Sequence, residues 1–125
     1  MLITVAEVLA ALVGLSAALM GANSFRAPRA AAGFGIPGTP VDDPTFRAWL
    51  SVKAVRDIAA GLLILIAAAA AEPHLLGWLM LAATGIPVGD TLIVLRSGGP
   101  KATAYGVHAA TAAVMAAISV LLLLG

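Results

Sequence analysis

Apolar residues in this chain fall into four long runs, separated by shorter stretches rich in proline, glycine and charge. The first run, Leu2 to Ala22, is broken only by Glu7 and Ser16. The second follows Asp43-Pro44 and continues to Ala71, the third runs from Pro73 to Arg96, and the fourth from Lys101 to Leu124. A helix needs about 20 mostly apolar residues to cross a bilayer. The pattern therefore predicts an all-α fold, a four-transmembrane-helix bundle over residues 2–22, 44–71, 73–96 and 101–124, within one integral membrane domain spanning 1–125.

Local signals place the ends. Asp43-Pro44 and Glu72-Pro73 each offer a side-chain acceptor followed by proline at the first helical position. Ser97-Gly98-Gly99-Pro100 reads as a stop and a tight turn. Pro87, flanked by Gly85 and Gly89, lacks an N–H to donate and is expected to kink the third helix. The only long connection, Asn23 to Asp43, holds Pro28, Pro37 and Pro40 with Gly33, Gly35 and Gly38, so no long helix fits there. A connection of this length suits a lid or a binding loop as well as it suits a surface loop. Small residues recur at four-residue steps as Ala10, Gly14, Ala18 and Ala22, and again as Ala102, Gly106 and Ala110. Such stripes let helices approach closely in lipid and offer faces for a homo-oligomer.

Composition sharpens the picture. The chain is 62% hydrophobic and 10% charged, with mean hydropathy +1.06, more apolar surface than a water-soluble fold of this length can hide. The lipid bilayer is its expected surrounding. A net charge of +1 gives no basis for nucleic-acid binding, and the absence of cysteine removes disulfides and thiolate chemistry. No basic residue precedes the first run and Glu7 interrupts it, so it reads as a span rather than a cleaved signal. Arg26, Arg29, Arg47, Lys53, Arg56, Arg96 and Lys101 all lie in or beside the first and third connections. The positive-inside rule then predicts a multi-pass cell-membrane protein with those connections cytoplasmic and both termini outside.

Ionisable groups inside membrane-length helices are costly and need a partner or a function. Lys53, Arg56 and Asp57 stand at the mouth of the charge-free run Ile58 to Ala71. Asp90 is six residues before Arg96, roughly 9 Å inside that end, and His108 is seven after Lys101, roughly 10 Å inside. Tyr105 and Thr111 flank His108 at spacings of three, and Asn23 closes the first helix on the same side. Asp57, Asp90 and Arg56 are thus the expected catalytic set, with Arg56 as the interhelical partner of Asp90. His108, Tyr105, Asn23 and Lys53 are expected to position substrate or water. Plainer readings stand beside these: an i,i+4 Lys53–Asp57 pair, basic side chains snorkelling to headgroups, and a hydrogen-bonded packing role for His108. Glu7, near the opposite end, has an expected structural role. Nearby cations disfavour a metal, neither His-Glu-x-x-His nor Glu-x-x-His occurs, and no phosphate-binding glycine loop or nucleophile elbow is present. No cofactor or metal is expected.

Phe25-Arg26-Ala27-Pro28, Phe34-Gly35-Ile36-Pro37, Val55-Arg56-Asp57-Ile58 with Gly61, and Ile86-Pro87-Val88-Gly89-Asp90 carry a resemblance over nearly the whole chain. On these motifs the chain resembles a family of small four-helix membrane proteins known as a domain of unknown function and, more distantly, DoxX-like membrane proteins. The resemblance implies four helices with Arg-Asp on the second and Asp on the third. It implies no activity.

Two functions follow from the residues. Two carboxylates with an arginine between them, in a poorly hydrated pocket, can hold different protonation states and so act as general acid and general base. That chemistry suits epoxide opening, cyclisation or isomerisation of a small lipophilic molecule. It is similar to the Asp–Arg–Asp arrangement of limonene-epoxide hydrolases, whose fold is unrelated. The alternative is a non-enzymatic membrane protein, a small transporter or accessory subunit, whose buried charges form a structural interhelical ion pair.

Overall fold

A computed structural model describes residues 1–125, and the chain is helical with no strand. We number the helices α1 (Leu2–Arg26), α2 (Pro44–Ala70), α3 (Pro73–Ala83), α4 (Gly85–Arg96) and α5 (Lys101–Leu124). α1 runs one turn past the expected end at Ala22, because Asn23 to Arg26 contain nothing that stops a helix. The first break comes at Ala27, just before Pro28. The starts of α2 and α3 follow their sequence signals: Asp43 accepts from Phe46 N at 2.7 Å and Glu72 from His74 N at 2.9 Å, each ahead of a proline.

The discontinuity expected at Pro87 lies at Thr84, between α3 and α4. The proline ring clashes with the carbonyl four residues earlier, here that of Ala83, so the regular ladder ends a turn upstream of the proline itself. Thr84 bridges the gap by donating both its N–H and its hydroxyl to Met80 O, at 3.0 and 2.8 Å. The two pieces remain collinear enough to count as one apolar length, Pro73–Arg96.

α1 packs along α2, α3 along α5, and α1–α5 and α2–α3 contacts close the assembly. The α1–α2 seam is glycine to glycine. A Cβ on Gly14 would stand 2.8 Å from Gly61 O, and one on Gly21 would stand 2.8 Å from Ala54 O. The small-residue stripe of α1 is therefore occupied within the chain, by α2, through Ala10, Gly14 and Ala18. Gly21 rather than Ala22 continues it, because steps of four drift away from the 3.6-residue turn. Ala102, Gly106 and Ala110 on α5 face outward.

Buried side chains gather toward the end where the termini meet, as Ala6, Ala10, Ile64, Ala67, Leu76, Met80, Met115, Ile118 and Leu122. Elsewhere leucines, valines and isoleucines point outward along every long helix. Only 17% of the most apolar window of α1 is inside the protein. Apolar exposure on that scale is stable against acyl chains and not against water.

Three helices are long and apolar enough to cross a membrane: Leu2–Arg26, Pro73–Arg96 and Lys101–Leu124. α2, expected to be a fourth, falls short by this measure. The same three charges that single it out, Lys53, Arg56 and Asp57, leave Ile58–Ala70 as its charge-free length. At 1.5 Å per residue this is roughly 20 Å against a hydrocarbon core of about 30 Å.

Candidate functional site

The first connection folds back over one end of the helices. A 3₁₀ stretch, Pro28–Phe34, follows α1, and Gly35 reverses the chain at φ +110°, a backbone conformation that side chains disfavour. Its closeness to α4 and α5 requires glycine as well, since a Cβ there would lie 3.0 Å from both Val94 and Thr103. Farther on, Asp42 accepts from Arg29 and Arg47 at 3.0 and 3.2 Å, and Arg47 Nε donates to Val41 O at 2.9 Å. These contacts hold the loop shut on itself.

Phe34 is carried inward by this fold and meets two helices. His108 Nε2 lies 2.8 Å from Phe34 O, and a carbonyl only accepts, so Nε2 carries the proton and donates. The Phe34 ring tilts at 45° against the imidazole with centroids 4.4 Å apart. Lys53 Nζ stands 5.5 Å from the same ring's centroid, a cation–π distance. Lys53 also donates to Asp57 Oδ2 at 2.5 Å within α2. His108 is buried, and a π-helical turn, Ala104–Ala109, sets its direction. With Nε2 donating to a backbone carbonyl, Nδ1 of the neutral ring is left as an acceptor.

Asp90 is half-buried, and its carboxylate has neither a hydrogen bond nor an ion pair. Phe34, Lys53, Asp57 and His108 thus form one contacting cluster from the first connection, α2 and α5, and Asp90 stands near it on α4, which packs against the π turn that carries His108.

Arg56 stands outside it. The residue is exposed, and its guanidinium donates only to Val52 O, at 3.3 Å. One residue is about 100° of rotation on a helix, so the face that presents Asp57 to the cluster turns Arg56 away. The expected Arg56–Asp90 contact is not made; Lys53 supplies the cation instead. Tyr105 and Thr111 are exposed while His108 between them is buried. The π turn bonds over five residues rather than four, which takes the three off a common face. Thr111 returns its hydroxyl to Val107 O. Asn23 is exposed, with its carbonyl capping Ala27 N and no side-chain hydrogen bond. Glu7 lies toward the other end, partly buried and without an ion pair. No three histidine or carboxylate side chains come together to hold a metal.

Phe34 stands in the sequence as part of the motif Phe34-Gly35-Ile36-Pro37, and its signal for this place is an aromatic directly before a glycine in the one long connection. The π turn has no signal in the residue pattern. Beside the cluster, an open groove of about 650 Å³ runs between the first and third connections, lined in part by Gly33, Gly35, Pro37, Gly99 and Thr103.

Three helices long and apolar enough to cross a membrane, with apolar side chains turned outward, mark a helical membrane protein that carries one polar cluster beside a folded loop. Residues 14–122 match the family described as Domain of unknown function (DUF4267), and the chain belongs to that family. No curated protein and no solved structure matches it.

Proposed function

We propose that this is a small integral membrane enzyme that performs acid–base chemistry on a small lipophilic substrate, of the epoxide-opening, cyclising or isomerising class. One observation carries the reading: Asp90 holds a carboxylate that is half-buried and bonded to nothing, on the helix that packs against the π turn bearing His108. A carboxylate kept only for architecture would be expected to hold a partner across the helix interface. The ion pair nearest to Asp90, Lys53–Asp57, lies within one helix and leaves Asp90 free.

For an epoxide, Asp90 accepts a proton from the attacking water while the new C–O bond forms. The C–O bond of the ring breaks, and its oxygen takes a proton from His108, which in its imidazolium form donates from Nδ1. The proton then passes from Asp90 back to His108 to restore the site. Asp57, neutralised by Lys53, holds the ammonium in place. A poorly hydrated setting strengthens each of these interactions.

In this reading α2 is the fourth crossing. It lies antiparallel to α1, with Gly61 against Gly14 and Ala54 against Gly21, so its charges sit at the depth of the last turns of α1. The basic first and third connections face the cytoplasm and both termini face out. A reporter fused after Gly125 that is active only in the cytoplasm would reverse this topology. The activity test is turnover of a lipophilic epoxide by protein purified in detergent. Asp90→Asn and Asp57→Asn are expected to be inactive, and undiminished turnover in both would remove the enzyme reading.

A further inference from the structure

We infer that Phe34 is a displaceable plug occupying the binding site of the ligand, and that the ligand is a neutral lipophilic molecule with a flat unsaturated ring and an acceptor oxygen. The inference rests on the cluster being a binding site, as proposed above, and adds what the site takes. Phe34 presents two groups to it, and each fills a place that a ligand atom would fill. Its carbonyl, 2.8 Å from His108 Nε2, satisfies the one N–H donor that the imidazole directs at the loop. Its ring meets the imidazole, 4.4 Å away by centroid, and the Lys53 ammonium, 5.5 Å from the ring centre. A place bordered by an aromatic ring and a cation selects a π-face over a saturated chain. A fixed donor at its end selects an oxygen acceptor, and no free anion site is provided, since Lys53 is already paired with Asp57.

Displacement is built into the loop. Phe34 is the last residue of the 3₁₀ stretch and is followed by Gly35 at φ +110° and Gly38 at φ +69°, so the backbone beside it has conformations open to glycine alone. The salt bridges of Asp42 to Arg29 and Arg47, and the Thr39 hydroxyl bond to Ile36 O at 2.6 Å, secure the loop at other points, and Gly35 packs on α4 and α5, so the Phe34 side chain is the part held only by His108 and Lys53. The groove lined by Gly33 and Gly35, the two neighbours of Phe34, gives the displaced ring a place to go.

The test is binding, read without turnover. Protein carrying ¹³C-carbonyl phenylalanine and ¹⁵N-histidine is titrated in detergent with acetophenone, and in parallel with ethylbenzene, which has the ring and lacks the oxygen. Acetophenone is expected to move the Phe34 carbonyl and His108 Nε2 resonances saturably in the wild-type protein. In Phe34→Ala it is expected to bind at least tenfold more tightly, because the ring no longer competes and only the backbone carbonyl remains to be displaced; ethylbenzene is expected to leave His108 Nε2 unmoved in both. Should Phe34→Ala fail to fold, Phe34→Leu carries the comparison, with tightening of at least threefold. A Phe34 carbonyl resonance that stays put at saturating acetophenone, equal affinity in variant and wild type, or ethylbenzene acting as acetophenone does would each overturn the inference. Binding with these signatures in a protein that turns over no epoxide would fail the proposed reaction and leave the plug standing.

Discussion

Replacing His108 by leucine isolates what the histidine does for the first connection. Leucine is close in size and apolar, so the buried position stays filled, while the hydrogen bond to Phe34 O and the ring-to-ring contact are both lost. The bond contributes about 1 kcal/mol net and the ring contact about another 1 kcal/mol. The Phe34 carbonyl, left without its donor, adds up to about 1 kcal/mol more until water reaches it. The sum, about 2 to 3 kcal/mol, acts on loop closure, and at about 1.4 kcal/mol per tenfold it raises the open population roughly 30- to 150-fold.

Trypsin reads that population, because Arg29-Ala30 lies inside the 3₁₀ stretch and cleavage there requires the stretch to open. When reclosing outpaces cleavage, the nicking rate tracks the equilibrium fraction open. Nicking of His108→Leu at Arg29 is therefore expected to rise by that factor, with helical circular dichroism unchanged at the assay temperature. His74→Leu, at an exposed histidine beside Glu72 in the connection between α2 and α3, is the control and is expected to leave the rate alone. Wild-type nicking in His108→Leu would refute the claim that the histidine clasps the loop.

Other consequences are simpler to check. Gly61→Val puts a branched side chain where a Cβ already overlaps Gly14 O and Ala18, and is expected to destabilise by about 1 to 3 kcal/mol, read as a lower midpoint of thermal unfolding in detergent. Met80→Ala, at a side chain wholly inside the core, is expected to cost about 2 to 5 kcal/mol by the same measurement. Gly35→Ala forces a side chain into the left-handed region and against Thr103 and Val94, so it is expected to loosen the loop and speed nicking at Arg29. Arg56→Gln is expected to leave both stability and epoxide turnover close to wild type, since the guanidinium touches only Val52 O; loss of turnover would return Arg56 to the site.

The helices were legible because their signals are local. Asp43-Pro44, Glu72-Pro73 and Ser97 to Pro100 act within a few residues of where they stand, and lipid demands that each apolar run satisfy its own backbone. That His108 and Lys53 come to the end covered by the first connection was legible for the same reason, since rise per residue is fixed. Rotation was harder to read. Asp57 and Arg56 are neighbours in sequence and nearly a third of a turn apart on α2, so only one can face the cluster, and composition does not say which. The neighbour with an i+4 partner, Asp57 with Lys53, is the one that does. At His108 rotation failed for a further reason: the π turn changes the phase of α5 within six residues, so the spacing that put Tyr105 and Thr111 beside it no longer applied.

Why a π turn sits there follows from what it achieves. The small residues around His108, including Gly106 and Ala109, let the helix widen without a side-chain clash. The turn breaks the regular ladder within an apolar helix, where few polar groups are at hand to repair it. It leaves His108 buried while Tyr105 and Val107 face out. The return is the contact with Phe34, which joins a helix of the second half of the chain to the loop of the first across 74 residues. A histidine needed only to pack would gain nothing from that displacement, since the regular helix already offers buried positions to apolar side chains such as Met115 and Ile118. The displaced turn, the donor it aims at the loop and the unbonded carboxylate of Asp90 are the features on which the proposed site rests.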